Sequence, residues 1–213
     1  YELAIVVAHG VRRLLDEQHD EFYYLTVTNQ NLPQPVMPAG APDLEDQIVR
    51  GLYRLSAAAG GQAQVRLVGA GAILFEVIAA AELLAQDFGL HAEVWSATSF
   101  VELARGAREV QRHNRLQPGE PARTSHAGRC LDGALPVIAA TDYVTPALEI
   151  CGSRVANWDI RIEDTIADNA SSAMIDMISA PQPHSRGFSS TLKQRWVLAT
   201  EARMVWVSSG TSD

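Results

Sequence analysis

The feature that most constrains the fold is a regular alternation of apolar segments between residues 64 and 140. Three short apolar runs predict β-strands, and two longer stretches with helical spacing lie between them. The order strand, helix, strand, helix, strand predicts an α/β domain, a mostly parallel sheet flanked by helices. The predicted strands cover residues 64–68, 93–97 and 135–140, and the predicted helices cover 73–87 and 99–116.

Local signals mark the ends of these elements. Gly89 stands where a left-handed helix cap belongs. Ser99 is a predicted N-cap, and Glu102 three residues later completes a capping box. Gly69 and Gly71 form a tight turn between the first strand and the first helix.

The first 55 residues are predicted to hold two helices and one strand. Apolar side chains at helical spacing predict a helix over 2–18, and aromatic and β-branched residues predict a strand over 22–27. Four prolines make 29–42 a loop and the best linker of the chain. Asp43 is the expected cap of a helix over 44–55.

Beyond about residue 144 the pattern weakens. The predictions there are a helix over 145–157, a strand over 158–162, an apolar stretch over 171–179 and a loop over 181–190. Residues 196–207 have no clean period, and no internal repeat is visible.

The charge balance disfavours two classes of partner. Lys and Arg total 17 and Asp and Glu total 25, so the formal net charge is −8. An acidic chain repels phosphate backbones and anionic lipids, so we expect no nucleic-acid and no membrane partner. Cys130 and Cys151 lack metal-ligand spacing, which favours reduced thiols in the cytoplasm and no zinc site.

The Gly69-Ala70-Gly71 turn is a candidate for chemistry, because a strand–turn–helix junction is where phosphate-binding loops lie. A dinucleotide fingerprint would need a small residue at position 74, which is Leu74. The favoured interpretation is therefore a turn that lets helix and strand pack closely.

The histidines and carboxylates give weaker signals. His113 lies near the end of a predicted helix, where a cation favours the helix dipole. His126 lies in a predicted loop and is able to act as an acid or base, but no partner stands beside it in sequence. Glu102, Glu109 and Asp142 are read as caps or ion pairs. We assign no catalytic, cofactor-binding or metal residue from these patterns.

Three collinear stretches carry a resemblance to a known family. They are YYLTVTNQN at 23–31, VWSATSFVELAR at 94–105 and ATDY at 140–143. With Tyr1-Glu2-Leu3-Ala4 and further matches, the chain resembles the homodimeric-type pyruvate dehydrogenase decarboxylating subunit over residues 1 to about 143. Members of that family have a transketolase-like architecture.

The resemblance implies a division of the chain. Residues 1–40 look like the end of a middle pyrimidine-binding domain plus a linker, 41–144 like the carboxy-terminal domain, and 145–213 like a divergent tail. After Tyr143 the family's Gly- and Asp-rich turn is not visible, which favours a frameshifted or divergent end. We therefore expect 145–213 to pack poorly, and slow amide exchange throughout it would contradict this.

The resemblance also implies an activity for a longer parent protein. Such subunits decarboxylate pyruvate with thiamine diphosphate and magnesium and reductively acetylate lipoyl groups on a dihydrolipoyl acetyltransferase core, working as homodimers. Their catalytic residues lie in the first two domains, in segments that precede Tyr1, so no site residue is carried over and no cofactor is expected on this piece. A non-catalytic interaction module and a nucleotide-binding oxidoreductase domain remain as alternatives.

Overall fold

The structure is a computed structural model. It describes residues 1–27, 31–41 and 43–141, together with the backbone of 158–163 and 203–209. The strands are β1 (Tyr53–Ser56), β2 (Val65–Gly69), β3 (Ala92–Ser96), β4 (Val137–Thr141), β5 (Trp158–Glu163) and β6 (Arg203–Ser209). The helices are α1 (Glu2–Val11), continued by a π-helical segment (Arg12–Asp16), α2 (Leu44–Val49), α3 (Ile73–Phe88), α4 (Phe100–Leu116) and α5 (His126–Cys130).

The strands form one mixed sheet in the order β1-β3-β2-β4-β6-β5. Strand β2 is central and pairs in parallel with β3 and with β4. Strand β1 is antiparallel to β3, and β6 and β5 extend the other side in antiparallel pairing. The predicted α/β fold is confirmed, and its parallel part is the β2–β3–β4 unit that the alternation predicts, with antiparallel strands added at both sides.

Both faces of the central strands are covered, which explains their near-continuous apolar sequences. Helix α3 covers one face, where its Val77 and Leu84 are fully buried against Leu67 of β2. Helices α4 and α5 cover the opposite face, where Leu103 and Ala127 pack in the same cluster as Val68 and Trp95. The helix-capping residues of this unit behave as predicted: Gly89 has φ 63°, and the Ser99 hydroxyl accepts from the Glu102 N–H at 3.2 Å.

The second half of the predicted capping box is wrong. The N–H of Ser99 donates to the carbonyl oxygen of Gly51 at 3.3 Å, so it does not need the Glu102 carboxylate. That carboxylate instead forms an ion pair with Arg105 at 2.9 Å.

The predicted helix over 44–55 is too long. Helix α2 ends at Val49, and the chain then turns at Gly51, where φ is +98°, to enter strand β1. A Cβ at Gly51 would lie 2.5 Å from the backbone oxygen of Ser99, so only glycine allows this approach. The expected cap also fails, because the Asp43 side chain makes no capping hydrogen bond.

The predicted strand over 22–27 is not formed. These residues have no regular secondary structure, and Phe22 and Tyr24 are 88% and 84% exposed. A strand needs a neighbour to satisfy its backbone groups, and no strand in the described part of the chain pairs with this segment. The prolines at 33, 35 and 38 do lie in an irregular segment, as predicted.

Three further elements, α5, β5 and β6, lie toward the carboxyl end of the described residues. Helix α5 was not predicted; it begins after Ser125, whose hydroxyl accepts from the Gly128 N–H at 3.1 Å. The strand expected at 158–162 is present in the backbone, and β6 falls partly within the stretch for which no element was predicted. The predictions over 145–157, 171–179 and 181–190, and the expected poor packing of 145–213, lie outside the fully described residues.

Candidate functional site

The turn after β2 is built for close packing. A Cβ on Gly69 would lie 2.8 Å from the Leu74 Cα and 2.8 Å from the Val77 Cγ2, so glycine lets α3 lie directly against the strand. Gly71 has φ +56°, the left-handed conformation that favours glycine. Helix α3 then begins without a side-chain cap at Ala72. Both glycines are explained by packing and turn geometry, in agreement with the favoured interpretation.

A buried polar cluster joins α1 to the sheet. The Tyr53 hydroxyl donates to the Glu2 carboxylate at 2.6 Å, and the Ser96 hydroxyl donates to the same oxygen at 2.7 Å. The hydroxyls of Tyr1 and Tyr53 lie 2.6 Å apart. Tyr53 and Ser96 are almost fully buried. We call these four residues the Glu2 cluster; it lies where β1 begins and β3 ends.

The electrostatics of the Glu2 cluster favour neutral phenols. Burial, and then the hydrogen bond to the Glu2 carboxylate, raise the pKa of Tyr53 far above its usual range. Burial also raises the pKa of Tyr1. Both hydroxyls therefore stay protonated and serve as hydrogen-bond donors rather than bases. The cluster acts chemically as an anchor for α1, and sequence reasoning missed it because Glu2 lies 51 and 94 residues from its partners.

A second polar network crosses the strands. Glu93 of β3 accepts from Arg66 of β2 at 3.1 Å, from Arg54 of β1 at 3.3 Å and from the Trp95 indole at 3.3 Å. Arg66 also donates to the Asp132 carbonyl at 2.8 Å. The side chains of Arg66 and Glu93 are only 13% and 14% exposed. The network ties three strands to the loop before β4.

His126 lies in the first turn of α5, not in the predicted loop. Its Nε2 is 2.8 Å from the Leu52 carbonyl oxygen, which only accepts, so Nε2 carries the proton. The Cys130 Sγ lies beside the ring, 3.6 Å from Nε2 and 3.8 Å from the other ring nitrogen, Nδ1. Burial lowers the pKa of His126 and raises that of Cys130, so both groups are neutral near pH 7. A neutral imidazole beside a protonated thiol links α5 to the turn before β1 and provides no activated nucleophile.

The other candidate residues lie apart from these clusters. His113 is in the last turn of α4, as predicted, and its Nε2 lies 3.0 Å from the Glu120 carboxylate. Glu109 lies on the exposed side of the same helix. Asp142 lies outside the described residues.

Two kinds of feature are absent from the described part of the chain. No group of three or more His, Cys, Asp or Glu side chains there is arranged to hold a metal ion. Likewise, none of the helices described above combines the length and apolarity needed to cross a bilayer.

Comparison with known families defines the class of protein. The family model of the transketolase-like TK C-terminal domain matches residues 51–156. That range begins at the Gly51 turn and contains the β2–α3–β3–α4–β4 unit described above. Residues 51–156 therefore belong to the transketolase-like C-terminal domain family.

Comparison with individual proteins makes this similarity more specific. The chain is 44% identical over 160 residues to the pyruvate dehydrogenase E1 component of Pseudomonas aeruginosa, which covers 74% of this chain and 17% of the relative. It is 48% identical over 147 residues to that of Cupriavidus necator, covering 68% and 16%. For that of Escherichia coli the identity is 38% over 166 residues, covering 78% and 18%. The chain thus spans about one sixth of the length of the relatives that it matches.

Proposed function

We propose that this chain is part of a pyruvate dehydrogenase E1 subunit, which decarboxylates pyruvate and reductively acetylates lipoyl groups. The observation that carries the proposal is the 44% identity over 160 residues to one E1 component, and the match of residues 51–156 to a transketolase-like C-terminal domain agrees with it. A collinear match of this length is far more specific than any short motif in the chain.

The part played by this piece is structural support. The central strands of its sheet are covered on both faces. The Glu2 cluster joins α1 to β1 and β3, and the network around Glu93 joins three strands to the loop before β4. A thiamine diphosphate–magnesium group would need clustered oxygen ligands, and the described residues do not fit it. We propose that such a group, where the subunit uses it, is held by segments outside the described residues.

The outer face of α1 supports a larger parent. Leu3, Val7 and Val11 form a stripe at four-residue spacing and are 49%, 44% and 49% exposed, while Ile5 and Val6 pack inward. A helix that is apolar all round is normally buried on all sides. We propose that residues 1–40 belong to a preceding domain, with 41–144 as the carboxy-terminal domain, and that the parent is a cytoplasmic homodimer working with a lipoyl-bearing acetyltransferase core.

A chimera tests the proposal. In the Pseudomonas aeruginosa E1 component, the matched 160-residue segment is replaced by the corresponding segment of this chain. We expect the chimera to form a dimer and to retain pyruvate-dependent acetylation of a lipoyl domain. The matched control carries Gly51→Val, which places a side chain on the Ser99 backbone and should abolish folding. A folded, dimeric chimera without pyruvate decarboxylation would contradict the proposal.

Titration of the 213-residue chain separates the alternatives. We expect neither thiamine diphosphate with magnesium nor NAD to bind in isothermal calorimetry. Saturable NAD binding that Gly71→Val removes would instead favour a nucleotide-binding oxidoreductase domain.

A further inference from the structure

Helix α4 has one buried face and one strongly basic face. Leu103, Ala104 and Ala107 are buried, on the side that faces the sheet. The exposed arginines follow the spacing 3, 4, 3 and are Arg105, Arg108, Arg112 and Arg115. At 100° per residue they fall within an arc of about 80°, and at 1.5 Å per residue they span about 15 Å. We call these four residues the arginine stripe.

Most of the arginine stripe is not neutralised by the described residues. Arg105 is paired with Glu102 at 2.9 Å. For Arg108, Arg112 and Arg115, the described part of the chain supplies no ion pair or hydrogen bond to the guanidinium groups. Helix α4 holds four arginines against two glutamates within a chain of net charge −8. Arg108, Arg112 and Arg115 repel one another at spacings of three and four residues, and only Glu109, three residues before Arg112, offsets this repulsion within the helix.

Apolar side chains stand at both ends of the arginine stripe. Val101 is 65% exposed and Leu116 is 62% exposed. Isolated charges attract any opposite charge, whereas exposed apolar groups beside them give a protein partner apolar area to bury. Guanidinium groups also bind carboxylates in a bidentate, directional way.

We propose that the arginine stripe of α4 is a docking surface for an acidic polypeptide segment. The segment presents carboxylates along about 15 Å, the length of ten helical residues, and apolar side chains that contact Val101 and Leu116. Nucleic acid is a poorer occupant, because the acidic remainder of the chain repels an extended polyphosphate. This docking surface lies on α4 alone and does not depend on the chain being part of an E1 subunit.

The test uses the full 213-residue chain and a synthetic helical peptide. The peptide is fluorescein-labelled, has glutamates on one face and carries leucines at the ends of that face. Fluorescence anisotropy should show saturable binding that weakens as sodium chloride is raised. The double variant Arg108→Glu/Arg112→Glu should weaken the affinity by about tenfold or more. Arg108→Lys/Arg112→Lys, which keeps the charge, should lose much less.

A matched control separates the surface from the net charge. Arg12→Glu/Arg50→Glu makes the same change in net charge at side chains that are 60% and 51% exposed on α1's continuation and at the end of α2. It should retain wild-type affinity within about threefold. All variants are checked for unchanged thermal unfolding, and a peptide with glutamine at every glutamate should not bind.

Several results would overturn the proposal. One is a control variant that loses affinity as much as the stripe variant, which would mean that only net charge matters. A second is a glutamine peptide that binds the chain as tightly as the glutamate peptide does. A third is a glutamate peptide that does not bind the chain at all. If duplex DNA or phosphatidylserine vesicles bind more tightly than the peptide, the occupant of this surface is that polyanion and not an acidic polypeptide.

Discussion

At the scale of single residues, the Glu2 carboxylate serves two buried hydroxyl groups at once. Glu2→Ala removes the acceptor of both Tyr53 and Ser96. Leaving buried donors unpaired should lower the free energy of unfolding by about 1–3 kcal/mol. The measurement is urea unfolding followed by circular dichroism. Glu82→Ala, at an exposed position of α3, is the control and should change the value by no more than about 0.5 kcal/mol.

His126 gives the fold a pH dependence with a defined sign. Burial lowers its pKa below the 6.5 of the unfolded chain, so the folded state prefers the neutral ring. Its contribution to stability is therefore complete above pH 6.5 and is lost as the pH falls through the lowered folded-state pKa. His126→Gln keeps an N–H for the Leu52 carbonyl and removes the titration. The free energy of unfolding, measured at several pH values, should fall less steeply with decreasing pH for this variant than for the wild type. Identical slopes for the two proteins would refute the assignment.

At the scale of elements, Gly51 decides where α2 stops and β1 starts. Gly51→Ala places a methyl group 2.5 Å from the Ser99 oxygen and keeps a left-handed φ, so we expect a loss of about 3 kcal/mol or more. Gly71→Ala is the matched control, because its φ is also positive but no atom lies within 4 Å. It should cost only about 1–2 kcal/mol. Equal thermal melting temperatures for the two variants would show that the close approach to Ser99 is unimportant.

The same elements show what the sequence allowed us to predict. The β2–α3–β3–α4–β4 unit was predicted because its periodicity and its Gly89 and Ser99 caps are local signals. The α2–β1 boundary was missed because it depends on a contact between Gly51 and Ser99, far apart in sequence. The Glu2 cluster was missed for the same reason. The 22–27 prediction failed because β-propensity does not supply a partner strand.

At the scale of the whole molecule, different sets of contacts attach different helices to the sheet. The two apolar clusters hold α3 on one face and α4 with α5 on the other. The Glu2 cluster and the small apolar cluster around Ile48 and Tyr53 attach α1 at the β1 edge. Helix α1 is thus anchored along one side while its other side stays apolar and exposed. This asymmetry distinguishes α1 from α3 and α4.

The exposed apolar side of α1 should respond differently to substitution in the 213-residue chain and in the E1 chimera. Val7→Gln/Val11→Gln alters two residues that are 44% and 49% exposed in this chain. In the 213-residue chain the change should alter the free energy of unfolding by no more than about 0.5 kcal/mol. It should also reduce the binding of an apolar dye, because it removes exposed apolar surface. If the proposed preceding domain covers Leu3, Val7 and Val11 in the E1 chimera, the same change should lower the free energy of unfolding there by about 2 kcal/mol or more.

The control for that comparison is Val101→Gln, at a 65% exposed position of α4. It should have the same small effect in both forms, because the proposed preceding domain lies on the α1 side of the molecule. A Val7→Gln/Val11→Gln pair that is equally harmless in the chain and in the chimera would mean that α1 keeps its apolar face in water. That result would remove the main structural support for assigning residues 1–40 to a preceding domain.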